Sequence, residues 1–260
     1  GLDGFGIYHY FFDEKTRALN IPIENLRKTP SINIDYFICW VNADWDKEWV
    51  GDYQTILYKQ KYSSNVFKKI AEDACWHFQD KRYVKIDGNP LYYIHNPKNL
   101  DIVNFKEEFL KTTRKYGFDK ILFAAPQIHI SEGQQNHIDY ALGYPPGDYP
   151  LRNVQLKSQM YSKIKSGVFS YPDYSDKYSS FIANKINELK YVPTVLSGWD
   201  NTPRYKDRGF VFLDFNPKDF YNLTQTIFKS SIEKNKDFVM IKAWNEWAEG
   251  NVLEPSIKFE

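Results

Sequence analysis

Alternation is what most limits the fold of this chain. Seven short apolar runs occur, at Phe5–Tyr10, Tyr36–Trp40, Leu91–Ile94, Ile121–Ala125, Ile138–Leu142, Val192–Leu196 and Phe238–Trp244. Their length and their β-branched or aromatic content read as buried strands. Helical patterns lie between most of them. Val66, Phe67, Ile70, Ala71, Ala74 and Phe78 keep a helical period, with Ser64 as the expected N-cap. Phe105, Phe109, Leu110 and Tyr116 form a second stripe, ended by Gly117. Phe181, Ile182, Ile186 and Leu189 form a third; Phe220, Leu223, Ile227 and Ile232 form a fourth, entered through Asn216-Pro217. Strands alternating with helices predict an α/β fold with a parallel sheet and helices outside it. Seven strands are one short of a (β/α)8 barrel and equally suit an open sheet.

In parallel α/β folds the functional face lies at the C-terminal ends of the strands. The residues there are Tyr8, His9 and Tyr10; Trp40, Asn42, Asp44, Trp45 and Trp49; His95 and Asn96; Gln127 and His129; Tyr144-Pro145-Pro146; Trp199, Asp200, Asn201 and Thr202; and Asn245, Glu246, Trp247 and Glu249. Composition matters at this point. Aromatics make up 18% of the 260 residues, and of seven Trp only Trp76 falls within a helical stripe. The others gather at or just after strand ends, as flat walls for stacking sugars would. Charge is balanced, 34 basic against 33 acidic residues, which gives no electrostatic reason to expect nucleic acid or an anionic membrane. No apolar run approaches the ~20 residues that span a bilayer.

Glu246 and Glu249 form the sharpest motif, within Trp244-Asn245-Glu246-Trp247-Ala248-Glu249-Gly250. Three apart in a helical turn, they would share one side. Cleaving a glycosidic bond needs two carboxyl groups at one anomeric carbon, one protonated and one ionised. Like charges at close range separate the two pKa values and allow both states at once. A solvated helix start would also favour such a pair, but the Trp-Asn-Glu-Trp context points to chemistry. The five His lack metal-ligand spacing, and no site residue is assigned to a metal. Asp44-Trp45-Asp46 is an Asp-x-Asp that could hold a divalent ion on a nucleotide sugar, or form a polar turn. Phosphate-cradling glycine motifs and a Gly-x-Ser-x-Gly elbow are absent. Cys39 and Cys75 are too few for a disulfide framework and read as reduced core residues.

Four segments carry a family resemblance: 4–12 (GFGIYHYFF), 39–45 (CWVNADW), 198–204 (GWDNTPR) and 243–250 (AWNEWAEG), the last followed by Leu253-Glu254-Pro255. In this order they resemble the WbsX-type family, glycosyltransferases of lipopolysaccharide O-antigen and related polysaccharide clusters. That family is similar to family 99 glycoside hydrolases, the endo-α-1,2-mannosidases. The resemblance implies a TIM-type (β/α)8 barrel whose visible strands are the second to the eighth. It implies one catalytic domain over 1–260, incomplete at both ends, which would expose edge strands and be prone to aggregation. It further implies that Glu246 assists the sugar's own 2-hydroxyl to attack the anomeric carbon, and that Glu249 is the general acid and then base. Trp40, Trp45, Trp199 and Trp247 become walls. Tyr8, His9, Tyr10, Asn42, His95, Tyr144, Asp200, Asn201, Trp244, Asn245 and Glu254 join them as substrate-binding residues. The family pattern is broken at Val41, Ala43 and Asp44, where a Glu is lost, at Gly147, where a His is lost, and at Asn96, where an Arg is common.

The expected protein is thus a retaining carbohydrate-active enzyme, hydrolase or transferase, bacterial, acting on a glycan or polysaccharide without a cofactor and placed in the cytoplasm. Two other readings stay open: a metal-dependent nucleotide-sugar glycosyltransferase using Asp44 and Asp46, and a non-catalytic glycan-binding domain.

Overall fold

A computed structural model of the chain describes residues 1–47, 52–188 and 190–257. Trp49 and Leu189 lie outside the described residues. The fold is mixed α/β with parallel strands, and the chain divides into two compact units. One holds Gly1–Lys47 and Tyr53–Ala141; the other holds Leu142 onward.

In the first unit, β1 (Gly4–Phe11), β3 (Asp35–Trp40), β7 (Asn89–Ile94) and β8 (Leu122–Pro126) lie side by side and parallel. Gly4 faces Asp35, Ile38 faces Tyr92 and Leu91 faces Leu122. The short β2 (Arg17–Ala18) pairs with the end of β1, and β4 (Trp45–Lys47) pairs with β5 (Asp52–Tyr58). β6 (Lys85–Ile86) folds back on β7, and β9 (Tyr140–Leu142) lies beside β8.

Helix α1 (Ile21–Lys28) has no counterpart among the predicted stripes: it is short and buries only Ile23. Helix α2 (Ser64–Phe78) buries the whole predicted stripe. Its cap is Ser63 rather than Ser64, because the Ser63 side chain accepts from the Val66 N–H. Helix α3 (Ile102–Thr113) is capped by Asp101 and runs through a 3-10 turn to Gly117, whose left-handed φ of 85° closes it as expected. The two helices bury their aromatic faces on the sheet. Phe105 stacks on Trp40 at 5.3 Å and meets Phe67 edge-on at 5.2 Å, while Phe109 packs on Tyr92 at 4.8 Å. Each such ring contributes roughly 1.5–3 kcal/mol by leaving water.

In the second unit the run Val192–Leu196 is two strands, β11 (Tyr191–Val192) and β12 (Thr194–Leu196), broken at Pro193, which has no N–H to give a ladder. β12 pairs in parallel with β14 (Met240–Lys242), the ordered centre of the run Phe238–Trp244. β10 (Val168–Ser170) and β13 (Val211–Leu213) form a further parallel pair. Their three-residue length leaves too little periodicity to predict them. Helices α4 (Tyr171–Lys185), α5 (Thr202–Tyr205) and α6 (Pro217–Glu233) complete the unit, with β15 (Asn245–Glu246) and β16 (Asn251–Val252) forming a hairpin. Asn216 caps α6, as its place before Pro217 predicts. Ile232, assigned to the α6 stripe, is instead 74% exposed.

Much of the tyrosine is core. Tyr171, Tyr174 and Tyr178 are fully buried on α4, with Tyr174 and Tyr178 stacked at 4.9 Å. Buried hydroxyls need partners: Tyr171 donates to the Leu196 carbonyl, and Tyr178 to Thr194 O and Asp148. Cys39 and Cys75 are buried free thiols, and burial raises the pKa of both, that of Cys75 to about 12. No described helix is long and apolar enough to cross a membrane.

Candidate active site

The Glu246/Glu249 segment is built differently from the expected helical turn. Glu246 ends β15, and Trp247–Glu249 form a 3-10 turn leading through Gly250 into β16. Glu246 therefore stands just before the turn and Glu249 closes it, and the Glu246 charge acts on Glu249. Gly250 is required there: its φ is 57°, and a Cβ would sit 2.9 Å from the Asp200 nitrogen. The reason for that closeness is a hydrogen bond from Asp200 N to Glu249 O at 2.7 Å. Asn251, fully buried, fixes the hairpin to the strand ends. Its side-chain oxygen accepts from Ala243 N at 2.6 Å and from Ser197 Oγ at 2.9 Å.

The Glu249 side chain is 17% exposed and pairs with Arg204 of α5 at 3.1 Å. Burial raises its pKa above the usual carboxylate value; Lys242 opposes this, the Glu246 charge adds to it, and Arg204 opposes it. Lys242 ends β14. Its Nζ lies 3.9 Å from the Tyr144 ring centre and 4.8 Å from that of Trp199, and burial lowers its pKa to about 8 against the pull of Glu249, Asp148 and Glu246. Asp148 stands behind Tyr144, accepting from the Tyr144 N–H at 2.7 Å; burial raises its pKa despite that bond. The second unit thus gathers three carboxylates, two cations and two aromatic rings around one hairpin.

Other predicted residues of this unit fall into three groups. Tyr144 and Trp199 face Lys242; Trp199, only 9% exposed, also stacks on Phe210 at 5.4 Å, so its ring is largely spent. Of its two expected roles, stacking or hydroxyl-binding wall, the stacking face is taken up by Phe210. Asp200 caps the following turn through Thr202 Oγ1 at 2.6 Å, and Asn201 is buried with its side chain accepting from Phe210 N. Both are positioning groups for the loop. Trp247 is 55% exposed, with its indole N–H donating to Glu254; it is the flat surface on the hairpin. Asn245 is exposed in β15, and Trp244 receives the backbone N–H groups of Leu253 and Glu254 at its carbonyl.

In the first unit, Tyr8 is 42% exposed and meets Tyr10 and His95 edge-on at 6.4 and 6.0 Å. Tyr10 stacks on Trp45 at 5.0 Å. His95 lies against His129, whose Nδ1 is 2.7 Å from the His95 carbonyl. Three assignments are corrected here. Trp40 has no exposure: its ring lies on Phe105, and its N–H donates to Phe11 O. His9 is 3% exposed and pairs with Asp73 of α2 at 3.2 Å. Asn42, fully buried, exchanges hydrogen bonds with the Asn96 backbone at both ends of its amide. All three are buried and turned to contacts within the fold. Asp44 accepts from Gln60 N at 2.7 Å, anchoring the β5 end. Among the described residues no group of three or more His, Cys, Asp or Glu is placed to hold a metal ion.

Sequence reasoning does not find Lys242, Arg204 or Asp148 as site residues. Lys242 has a signal, a charge closing an otherwise apolar strand. Arg204 lies inside the 198–204 motif with no role of its own, and Asp148 has no signal at all.

Known proteins place this arrangement in a family. Residues 1–260 match the model of the family described as Glycosyltransferase WbsX, and the chain belongs to that family. Two proteins named WxcX of Xanthomonas campestris pv. campestris, from strains B100 and ATCC 33913, are each 26% identical over 99% of this chain. The chain spans 37% of the length of either. Among solved structures it is similar to a glycoside hydrolase-like protein, with a TM-score of 0.62 at 14% identity over 98% of this chain and 74% of that one. It is also similar to the GH99 endo-alpha-mannosidase from Bacteroides thetaiotaomicron, with a TM-score of 0.56 at 13% identity over 95% of this chain and 64% of that one. At such identity these structures speak for the fold.

Proposed function

We propose that this chain carries the reaction centre of a carbohydrate-active enzyme that cleaves or transfers at a glycosidic bond with retention, on a bacterial polysaccharide or O-antigen glycan. The observation that carries the reading is Glu249: a carboxyl group sunk in a site where burial and the Glu246 charge favour its protonated form. Family membership and an exposed Trp247 beside it support the same reading. On this reading the parallel strands belong to a TIM-type barrel.

The chemistry then runs in two steps. Glu246 takes the proton of the sugar 2-hydroxyl as that oxygen bonds to the anomeric carbon, and Glu249 gives its proton to the departing glycosidic oxygen. Next, Glu249, now ionised, takes a proton from an incoming hydroxyl that attacks the anomeric carbon. The ring between the 1 and 2 positions opens, and Glu246 returns the proton to O2. Two inversions give retention. Water as acceptor makes hydrolysis; a sugar hydroxyl makes transfer.

The test incubates the protein with α-1,2-linked manno-oligosaccharides and with bacterial O-antigen polysaccharide, following product anomers by NMR. Retained configuration is expected, with Glu246→Gln and Glu249→Gln each losing about 100-fold or more. Full turnover by Glu249→Gln overturns the reading. Turnover of a nucleotide sugar that a chelator abolishes would replace it with metal-dependent transfer.

A further inference from the structure

Two rings hold Lys242 at once. Its Nζ lies 3.9 Å from the centre of Tyr144 and 4.8 Å from that of Trp199. Cation–π attraction acts within ~6 Å of a ring centre and strengthens where water is excluded. The ring of Trp199 is itself backed by Phe210, and the Tyr144 backbone is tied to Asp148. One wall of the cradle is thus packed from behind, and the chain at the other wall is pinned. The strand is anchored too, since the Lys242 carbonyl accepts from Ser197 N at 2.9 Å.

The charged groups acting on this ammonium come from each element around it. Glu246 and Glu249 come from the hairpin, and Asp148 comes from the loop after β9. Arg204 acts on Glu249 from α5. Three carboxylates thus act on one ammonium, and one of them, Glu249, also holds a guanidinium. Arg204 is committed to Glu249 by a 3.1 Å contact, whereas Lys242 is held by rings and acts on all three acids.

We infer that Lys242 is a positioning residue of this site: its ammonium, cradled by Tyr144 and Trp199, is a second counter-charge that, beside Arg204, favours the ionised form of Glu249. This rests on reading Glu246 and Glu249 as the reacting pair. Its consequence is a coupled titration in which Lys242 and Glu249 act on each other rather than ionising separately. Lowering of the Lys242 pKa to about 8 by burial supports it, since the group would then lose its charge within a workable pH range.

The test needs no substrate. The whole chain is labelled with 13C at glutamate carboxyls, and the Glu246 and Glu249 signals are assigned from Glu246→Gln and Glu249→Gln. The Glu249 midpoint is then read in Lys242→Met, which keeps the stem without the charge, and in Lys242→Arg, which keeps the charge over the rings. An upward shift in Lys242→Met, with Lys242→Arg staying near wild type, is expected. An unmoved midpoint in Lys242→Met, or an equal shift in both variants, overturns the inference. Should Lys242→Met lose its circular dichroism, the reciprocal measurement decides. The 15N-lysine titration of Lys242 must move down in Glu249→Gln, and an unmoved titration overturns the inference as well. Coupling that stands while Glu249→Gln keeps full turnover would sink the catalytic reading alone. Turnover lost in Glu249→Gln with no coupling would sink this inference alone.

Discussion

At the residue scale, the two tryptophans of the second-unit site do opposite things. Trp199 is enclosed between Phe210 and the Lys242 ammonium, while Trp247 stands 55% exposed with its N–H fixed by Glu254. A sugar needs an open face, so Trp247→Ala is expected to weaken binding of a glycan ligand about tenfold while leaving the melting temperature near wild type. Calorimetric titration with the turned-over glycan checks this; unchanged affinity would remove Trp247 from the binding surface. Trp199→Ala is expected to do the reverse in one respect, lowering stability by roughly 3–5 kcal/mol as a core aromatic does. Sequence position alone does not separate the two, because both follow strands. What separates them is Phe210, which no spacing rule connects to Trp199.

At the element scale, the hairpin β15–β16 carries Glu246 and Glu249, and its shape depends on Gly250. The left-handed φ of 57° opposes a side chain, and so does the Asp200 nitrogen, 2.9 Å from where a methyl group would sit. Gly250→Ala is expected to cost about 1–3 kcal/mol, read from urea midpoints. It should lower turnover as well, because the hydrogen bond from Asp200 N ends at Glu249 O. A stable Gly250→Ala with full turnover would show that the turn tolerates a different path. Elsewhere the elements are legible where their signals are local. The α2 stripe, the Gly117 stop and the Asn216-Pro217 start all follow from side-chain period and cap chemistry. Among the unexpected elements, β10 and β13 are too short to show a period and are held by pairing between residues far apart in sequence, Val168 with Val211. The helical turn expected at Glu246–Glu249 fails for the same reason: its geometry is dictated by Asn251 reaching Ser197 and Ala243, not by the residues of the turn.

At the scale of the whole molecule, acid is the expected weakness, and its source is the first unit. His77 is 1% exposed, and burial lowers its pKa from 6.5 to about 4, with Tyr36 OH 3.1 Å from its Nδ1. The unfolded chain binds that proton first, so stability falls as pH drops from 6.5 towards 4, by about 3 kcal/mol over the window. Asp80 adds a second window. Burial pushes its carboxyl up, but Arg82 and Arg27 hold it down at about 2, so its contribution, present above 3.8, is lost as pH falls towards 2. Urea unfolding between about pH 7 and 4 checks the first step, and His77→Gln should flatten it; an unchanged slope in that variant would reassign the effect. The parallel sheet that frames this unit is readable from the apolar runs, since strand burial follows composition. The buried network of His9, Asp73, His77, Asp80 and Arg82 is not, because each resembles a surface residue when taken singly and His9 of β1 meets α2 only through the fold. Arg82 gives that network an outlet of another kind. One guanidinium binds Asp80 at 2.7 Å and also the carbonyls of Leu26, Thr29 and Ile32 at 2.8, 3.0 and 2.7 Å, clasping the end of α1 and the segment that follows. Lys28 lies inside that clasp, so a trypsin cut there should be slow in the native protein and should become the first scission once Arg82 is replaced.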